Sequence, residues 1–252
     1  MKRIYFGILF VLMSTCGLGA VTLVDHNYEP IRGVQIFNLD RKYLLHMENY
    51  FETLSRNNVN TIFLRVFQNS EDRVHLGFSN RCGSGVYFKT DAACTVFDVI
   101  DFVLPYARKY QVKVYAWMAT RSLSFLKTED FMEKEENNGF LTNGYGANIF
   151  NPEVRDRLLQ LFRDLAKTDI DGVLIQDDFI LKSKEGFSEH SINRYLVDYG
   201  KHPQDGDKEW YLWKMKSLSS FLNEIRYEMK KFNPKVKFAV NIYYETPSFP
   251  EK

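Results

Sequence analysis

The sequence predicts an α/β fold built on a parallel sheet with helical crossovers, and three observations predict it. Five segments, 33–39, 61–67, 113–119, 172–178 and 236–243, are apolar and rich in β-branched or aromatic residues. Between them lie stretches with apolar residues at helical spacing, so strand and helix alternate along the chain. Links from helix back to strand are short, as in RNNVNT, KYQVK and KTDIDG, whereas those from strand to helix, near 68–95, 120–150 and 179–210, are long.

The first twenty residues read as an export signal. Lys2 and Arg3 form a basic start, 4–13 an apolar run and Gly17-Leu18-Gly19-Ala20 a small-residue exit. The expected mature chain, 21–252, is therefore exported as one domain. An uncleaved signal anchor and lipid attachment at Cys16 are the competing readings, and no later segment has the length of a membrane-spanning helix.

After strand 33–39, Asp40 is placed to cap a helix whose buried stripe is Leu44, Met47, Phe51 and Leu54. Strand 61–67 carries Arg65 in its interior, where a guanidinium demands a carboxylate. The expected partner is Asp177 or Asp178. The following loop contains RCGSGVYFKTDAAC, and an even cysteine pair at short separation in an exported chain predicts a Cys82–Cys94 disulfide worth about 3 kcal/mol. The alternative is two unrelated buried thiols. Without a CxxC pair or clustered histidines, no metal is expected.

Stretch 96–110 predicts a helix on Phe97, Ile100, Val103, Leu104 and Ala107, kinked or divided at Pro105. Strand 113–119 brings Trp117 near its carboxyl end, either as core or as a floor on which a sugar ring stacks. Asn151-Pro152-Glu153 marks a helix start leading to Val154, Leu158, Leu161, Phe162 and Leu165. The fourth strand, in DGVLIQDD, runs straight into Asp177 and Asp178. Acids cost several kcal/mol to bury unpaired, so such a pair is either held by partners or kept for chemistry. In a regular strand the two point to opposite faces, one to a cleft and one to the helix layer or the next loop. Residues 213–232 place Leu218, Phe221, Leu222, Ile225 and Met229 on one helix face, and Lys214, beside Trp210 and Trp213, is either a cleft cation or the solvated start of that helix. Strand 236–243 offers Asn241 and Tyr243 to sugar hydroxyls, with Glu245 just beyond.

Long loops, glycines, aromatics and charges thus gather at the carboxyl ends of the strands, the edge that carries the active site in parallel α/β folds. The net charge of +1, from 33 basic and 32 acidic residues, argues against a nucleic-acid or anionic-membrane partner held by charge. Aromatics make up 15% of the chain, and loop positions such as Phe78, Tyr87, Phe88, Tyr145 and Phe150 suit a neutral, stackable partner such as a sugar. No GxSxG elbow or GxGxxG turn is present, and no cofactor is expected.

The stretches NVNTIFLRVF, VKVYAWMAT, FNPEVRDRL, DIDGVLIQDDFIL and AVNIYYETPSFPE, in this order, resemble the C-terminal hydrolase domain of the PgaB family of poly-β-1,6-N-acetylglucosamine processing proteins and related glycosyl-hydrolase-like barrels. The resemblance implies a (β/α)8 barrel of the TIM type, apparently truncated after about five βα units, in the periplasm or at the cell surface of a bacterium. It implies an enzyme that cleaves a partly de-N-acetylated glucosamine polymer, a polysaccharide partner and an association with other exopolysaccharide export proteins. It favours Asp177 as the general acid or its close supporter, with Asp178 positioning substrate or a neighbouring base. Two positions depart from the family pattern: Gln176 stands where a His usually precedes the paired acids, and Ser183 where a further Asp is usual.

Glycoside hydrolysis needs a second group, with carboxylates about 5–5.5 Å apart for retention and roughly 6.5–9.5 Å for inversion. Glu245 and Glu185 are the candidates, each against the reading of a solvated loop charge, and a substrate N-acetyl group can substitute for either. Trp117, Arg65, Asn241, Tyr243, Lys214 and Glu185 make up the expected substrate-binding set. The competing class is a non-catalytic polysaccharide-binding or export-assisting barrel, favoured by Gln176 and by a five-stranded sheet with two open edges.

Overall fold

A computed structural model of the protein describes residues 29–76 and 82–241. The export signal, Phe78, Tyr243 and Glu245 lie outside these residues. The unit Ile31–Lys252 holds every element named below.

Along the chain these are β1 (Gly33–Ile36), α1 (Arg41–Leu44), α2 (Met47–Arg56), β2 (Thr61–Arg65), β3 (Phe67–Gln68), β4 (Gly85–Val86), α3 (Val99–Lys109) and β5 (Lys113–Met118). Then follow β6 (Met132–Asn137), β7 (Phe140–Ala147), α4 (Pro152–Ala166), β8 (Gly172–Ile175), α5 (Glu189–Tyr199), α6 (Lys208–Phe232) and β9 (Lys237–Val240). The five strands expected from sequence form one sheet in the order β1-β2-β5-β8-β9, every neighbouring pair parallel. Two antiparallel pairs, β3–β4 and β6–β7, stand in the long loops at the carboxyl ends of β2 and β5.

Local chemistry explains most boundaries. The side chains of Asp40, Asp98, Asn151, Ser188 and Asp207 each accept a backbone N–H at a helix start. The first helix differs from expectation: it is interrupted at His46 (φ −121°, ψ 25°), which makes no side-chain cap. Pro105 does not divide α3, which runs unbroken through it. The proline lies on the exposed side, where the carbonyl it deprives of a donor can turn to water.

The two sheet faces have different fates. Ile62, Leu64, Val114, Ala116, Met118, Val173 and Ile175 pack into the main core with Phe51, Val103, Leu158, Phe162, Phe221 and Ile225 of the helices. The opposite face carries Phe63, Arg65, Tyr115, Trp117 and Leu174, and neither apolar cluster includes them. Large rings tile this second face by lying across glycines. A Cβ on Gly172 would sit 2.3 Å from the Tyr115 ring, and one on Gly33 2.7 Å from that of Phe63. Gly172 is therefore what allows Tyr115 to fill the space beside β8.

Candidate active site

The paired acids sit at the carboxyl end of β8, but their environments differ sharply. Asp178 is 1% exposed and is held by the loop after β5. It accepts the Thr120 N–H at 2.9 Å, the Thr120 hydroxyl at 3.0 Å, the Ser122 N–H at 2.7 Å and the Ser122 hydroxyl at 2.8 Å. A carboxylate with that many donors is an anchor between two loops, with little capacity left for a ligand. Asp177 is half-buried and has no hydrogen-bond or ion-pair partner among the described residues. Of the two, it is the carboxyl that can meet a substrate.

A second buried network lies behind them. Arg121 and Glu185 are both 0% exposed and joined at 2.9 Å. Arg121 also donates to the carbonyls of Ala147 and Ile180, while Glu185 accepts the N–H groups of Tyr145 at 2.7 Å and Lys182 at 2.8 Å. Glu185 is thus neither a solvated loop charge nor a group at the cleft. Sealing it removes the reach that either catalysis or sugar binding requires. Lys214 is corrected in the same way: at 2% exposure it donates to the carbonyls of Ser183, Glu185 and Lys182 at 2.7, 2.8 and 3.2 Å. Burial pushes its pKa down to about 8, against the opposing carboxylates of Asp205, Glu185 and Glu133.

The hairpin β6–β7 closes this network. Its Glu136 N–H bonds to the Lys184 carbonyl, and Gly186 and Phe187 return bonds to the Lys134 carbonyl. Glu133, 0% exposed, accepts the Ser188 N–H and the Ser191 hydroxyl. The loop after β8 is therefore clamped along its length by the loop after β5, with Asp177 at its start.

Arg65 does not pair with either acid. It forms a 2.6 Å ion pair with Asp72, seven residues further along in the loop after β2, and its guanidinium lies over the rings of Phe37 at 4.6 Å and Phe67 at 4.1 Å. Parallel register sets Arg65 beside Trp117, whose ring is 5.5 Å from that of Phe37. Gln176, two residues past Leu174, falls on the same face of β8, and Asn241, half-buried, continues β9 by donating its N–H to the Ile175 carbonyl. Three buried polar atoms in this row, Arg65 Nε, Trp117 Nε1 and Gln176 Oε1, have no hydrogen-bond partner among the described residues. Unpaired donors and acceptors of this kind cost about 1–3 kcal/mol each.

Cys82 and Cys94 form a disulfide, with Cα atoms 6.0 Å apart. Of the loop aromatics, Tyr87 and Phe88 are core, Phe150 stacks on Trp213, and Tyr145 is 39% exposed between Lys127 and Lys182. Thr120, Arg121, Ser122 and Glu133 carry the site yet were not singled out from sequence. For the first three the signal is the run of polar residues directly after strand 113–119; Glu133 lies in the charged stretch MEKEEN beyond it.

Residues 40–248 match the model of the hypothetical glycosyl hydrolase family 13. No curated protein matches the chain. Among solved structures it is similar to the PgaB (BpsB) glycoside hydrolase domain from Bordetella bronchiseptica, with TM-score 0.67 and 20% identity over 85% of this chain and 66% of that one. It is also similar to α-L-fucosidase isoenzyme 2 from Paenibacillus thiaminolyticus, with TM-score 0.58 and 16% identity over 84% of this chain and 32% of that one. A third is the GH20 exo-β-N-acetylglucosaminidase from Vibrio harveyi, with TM-score 0.52 and 11% identity over 83% of this chain and 35% of that one. The chain therefore spans just under two thirds of the first of these and about a third of the others. At such identities the likeness is one of fold, that of barrel glycoside hydrolases, to which the parallel α/β sheet conforms.

Proposed function

The chain belongs to the hypothetical glycosyl hydrolase family 13, and on that premise we propose that it is an exported glycosidase of partly de-N-acetylated poly-β-1,6-N-acetylglucosamine or a similar exopolysaccharide. The observation that carries this reading is the asymmetry of the two acids: Asp178 saturated by Thr120 and Ser122, Asp177 without a described partner at the strand's carboxyl end. In this reading Asp177 is the general acid that protonates the glycosidic oxygen, and Asp178 positions it by fixing the adjacent backbone. With Glu185 locked in its ion pair, the second group is Glu245 or the N-acetyl carbonyl of the substrate itself. Trp117 and Phe37 supply the apolar floor on which a sugar ring rests. The five parallel strands then stand for five βα units of a barrel. No helix of the described residues is long and apolar enough to cross a membrane.

The test is cleavage of a defined partly de-N-acetylated oligosaccharide, followed by mass spectrometry. Wild type should release shorter products and Asp177→Asn should release none while still binding the oligosaccharide. Binding without cleavage in both proteins would instead establish the non-catalytic reading, which Gln176 favours: a neutral amide in that position can hold a glycan but cannot relay a proton.

A further inference from the structure

Thr120 and Ser122 hold Asp178, and the turn that carries them is itself held from a third loop by Asn69. Asn69 follows β3 directly and is 8% exposed. Its Nδ2 donates to the Ser122 carbonyl at 3.0 Å, and its Oδ1 accepts the Ser124 N–H at 2.8 Å. One side-chain amide thus completes the backbone bonding of 122–124 much as a neighbouring strand would. The backbone of Asn69 is equally committed. Its N–H donates to Asp72 at 2.8 Å, and its carbonyl accepts the Asp72 N–H at 3.2 Å and lies 2.9 Å from His75 Nε2. Asp72 in turn is the partner of Arg65. A continuous row of bonds therefore runs from Arg65 on β2, through Asp72, Asn69 and Ser122, to Asp178 beyond the end of β8.

Ser122 is bonded on both sides in this row, its N–H and hydroxyl to Asp178 and its carbonyl to Asn69. Removing the Asn69 amide frees that carbonyl, and with it the backbone torsions that aim the N–H and the hydroxyl. We propose that Asn69 is a positioning residue for the acid Asp177, acting through Ser122 and Asp178; this rests on the glycosidase reading above. An acid must meet the glycosidic oxygen at hydrogen-bond distance, and a misplacement of about 1 Å caused by a change far from the chemistry can cost about 100-fold in rate. Asn69 bonds to neither acid, so its loss acts on the chemical step and leaves ground-state binding in place. A second tie between the same two loops, from the Ser70 N–H to Ser124 Oγ at 3.0 Å, bypasses Ser122 and keeps the loops together when the amide is gone.

Steady-state cleavage of the partly de-N-acetylated oligosaccharide by the full chain, with the folded fraction of each variant fixed by circular dichroism, tests this. Asn69→Ala should lower kcat at least about tenfold and leave KM within about twofold of wild type. Asn69→Asp keeps the side-chain size and the acceptor for the Ser124 N–H but turns a second oxygen toward the Ser122 carbonyl. It should therefore fold and lose kcat as Asn69→Ala does. Thr90→Ala removes a different tie of the loop after β2, the 2.8 Å bond to Asp164 of α4, and should leave both constants at their wild-type values. Wild-type kcat in Asn69→Asp, a rise in KM in place of a fall in kcat, or an equal loss in Thr90→Ala would overturn the positioning role while leaving the glycosidase reading standing. No cleavage by wild type would overturn both.

Discussion

Ser122 holds Asp178 twice, with its backbone N–H at 2.7 Å and its hydroxyl at 2.8 Å to the same carboxylate oxygen. Residues 56 positions apart are thereby locked at the carboxyl ends of two adjacent strands, and the next residue back, Asp177, inherits a fixed backbone. Stability and chemistry are divided between neighbouring acids.

That division makes the two acids separable by mutation. Asp178→Asn presents an NH2 group where four donors already converge, and should cost about 3 kcal/mol or more, because bonds to a charged acceptor are worth about 1.5–3 kcal/mol each. Asp177→Asn, with no described bond to lose, should stay within about 0.5 kcal/mol of wild type. Urea denaturation of both variants checks this, and equal losses would remove the basis for treating the pair as anchor and acid.

The Arg121–Glu185 pair gives a second test of the same architecture. Glu185→Gln leaves a guanidinium at 0% exposure without its anion, a loss of about 3–5 kcal/mol for a broken buried pair. Replacing both partners, as Arg121→Met with Glu185→Leu, should recover much of that loss, since neither residue then carries a buried charge. Chemical denaturation of single and double variants measures the coupling. A double variant as unstable as the single one would show that the bonds to Ala147, Ile180, Tyr145 and Lys182 matter more than the charge.

Reduction of Cys82–Cys94 should lower stability by about 3 kcal/mol, the loop-closure value for a crosslink of this span. The bridge staples the loop after β2, in which the Val86 N–H bonds to the Cys94 carbonyl and Tyr87 packs in the core. Thermal melts with and without a thiol reductant, compared with the Cys82→Ser, Cys94→Ser variant, report the shift. An unchanged melting temperature would mean that β3 and β4 hold the loop unaided.

The sheet was legible because each strand is a short β-branched or aromatic run closed by turn residues, and a buried parallel strand needs little else. The hairpin β6–β7 was not, because MEKEEN has no apolar alternation; only Asn138-Gly139, both at positive φ, signalled its turn. Helix α5 falls within the expected loop 179–210, although Ser188 at its start and Gly200 in the left-handed conformation at its end are ordinary caps. The roles of Asp178, Glu185 and Lys214 were hidden for a different reason. Apart from Lys182, three residues from Glu185, their partners lie 29 to 64 residues away, and only folding brings them together. Charge in the sequence suggested a cleft, whereas in the fold much of it is structural.

Lys214 turns that lesson into a pH measurement. Burial lowers its pKa from 10.5 to about 8 in the folded chain, while the unfolded chain keeps the higher value. Below about pH 8 both states hold the proton and the group adds no slope. Between about 8 and 10.5 the unfolded chain binds more protons, so this residue makes stability rise with pH, by up to about 1.4 kcal/mol per pH unit. Lys109 and Lys201, held above their usual 10.5 by hydrogen bonds to Glu48 and Glu209, pull the opposite way only as pH rises past that value. The quantity to measure is therefore the difference between wild type and Lys214→Met, from denaturation midpoints at several pH values. It should move in favour of wild type as pH climbs from 8 to 10.5. A difference independent of pH would mean that the three carbonyls of Lys182, Ser183 and Glu185 hold the proton on Lys214 as firmly as water does.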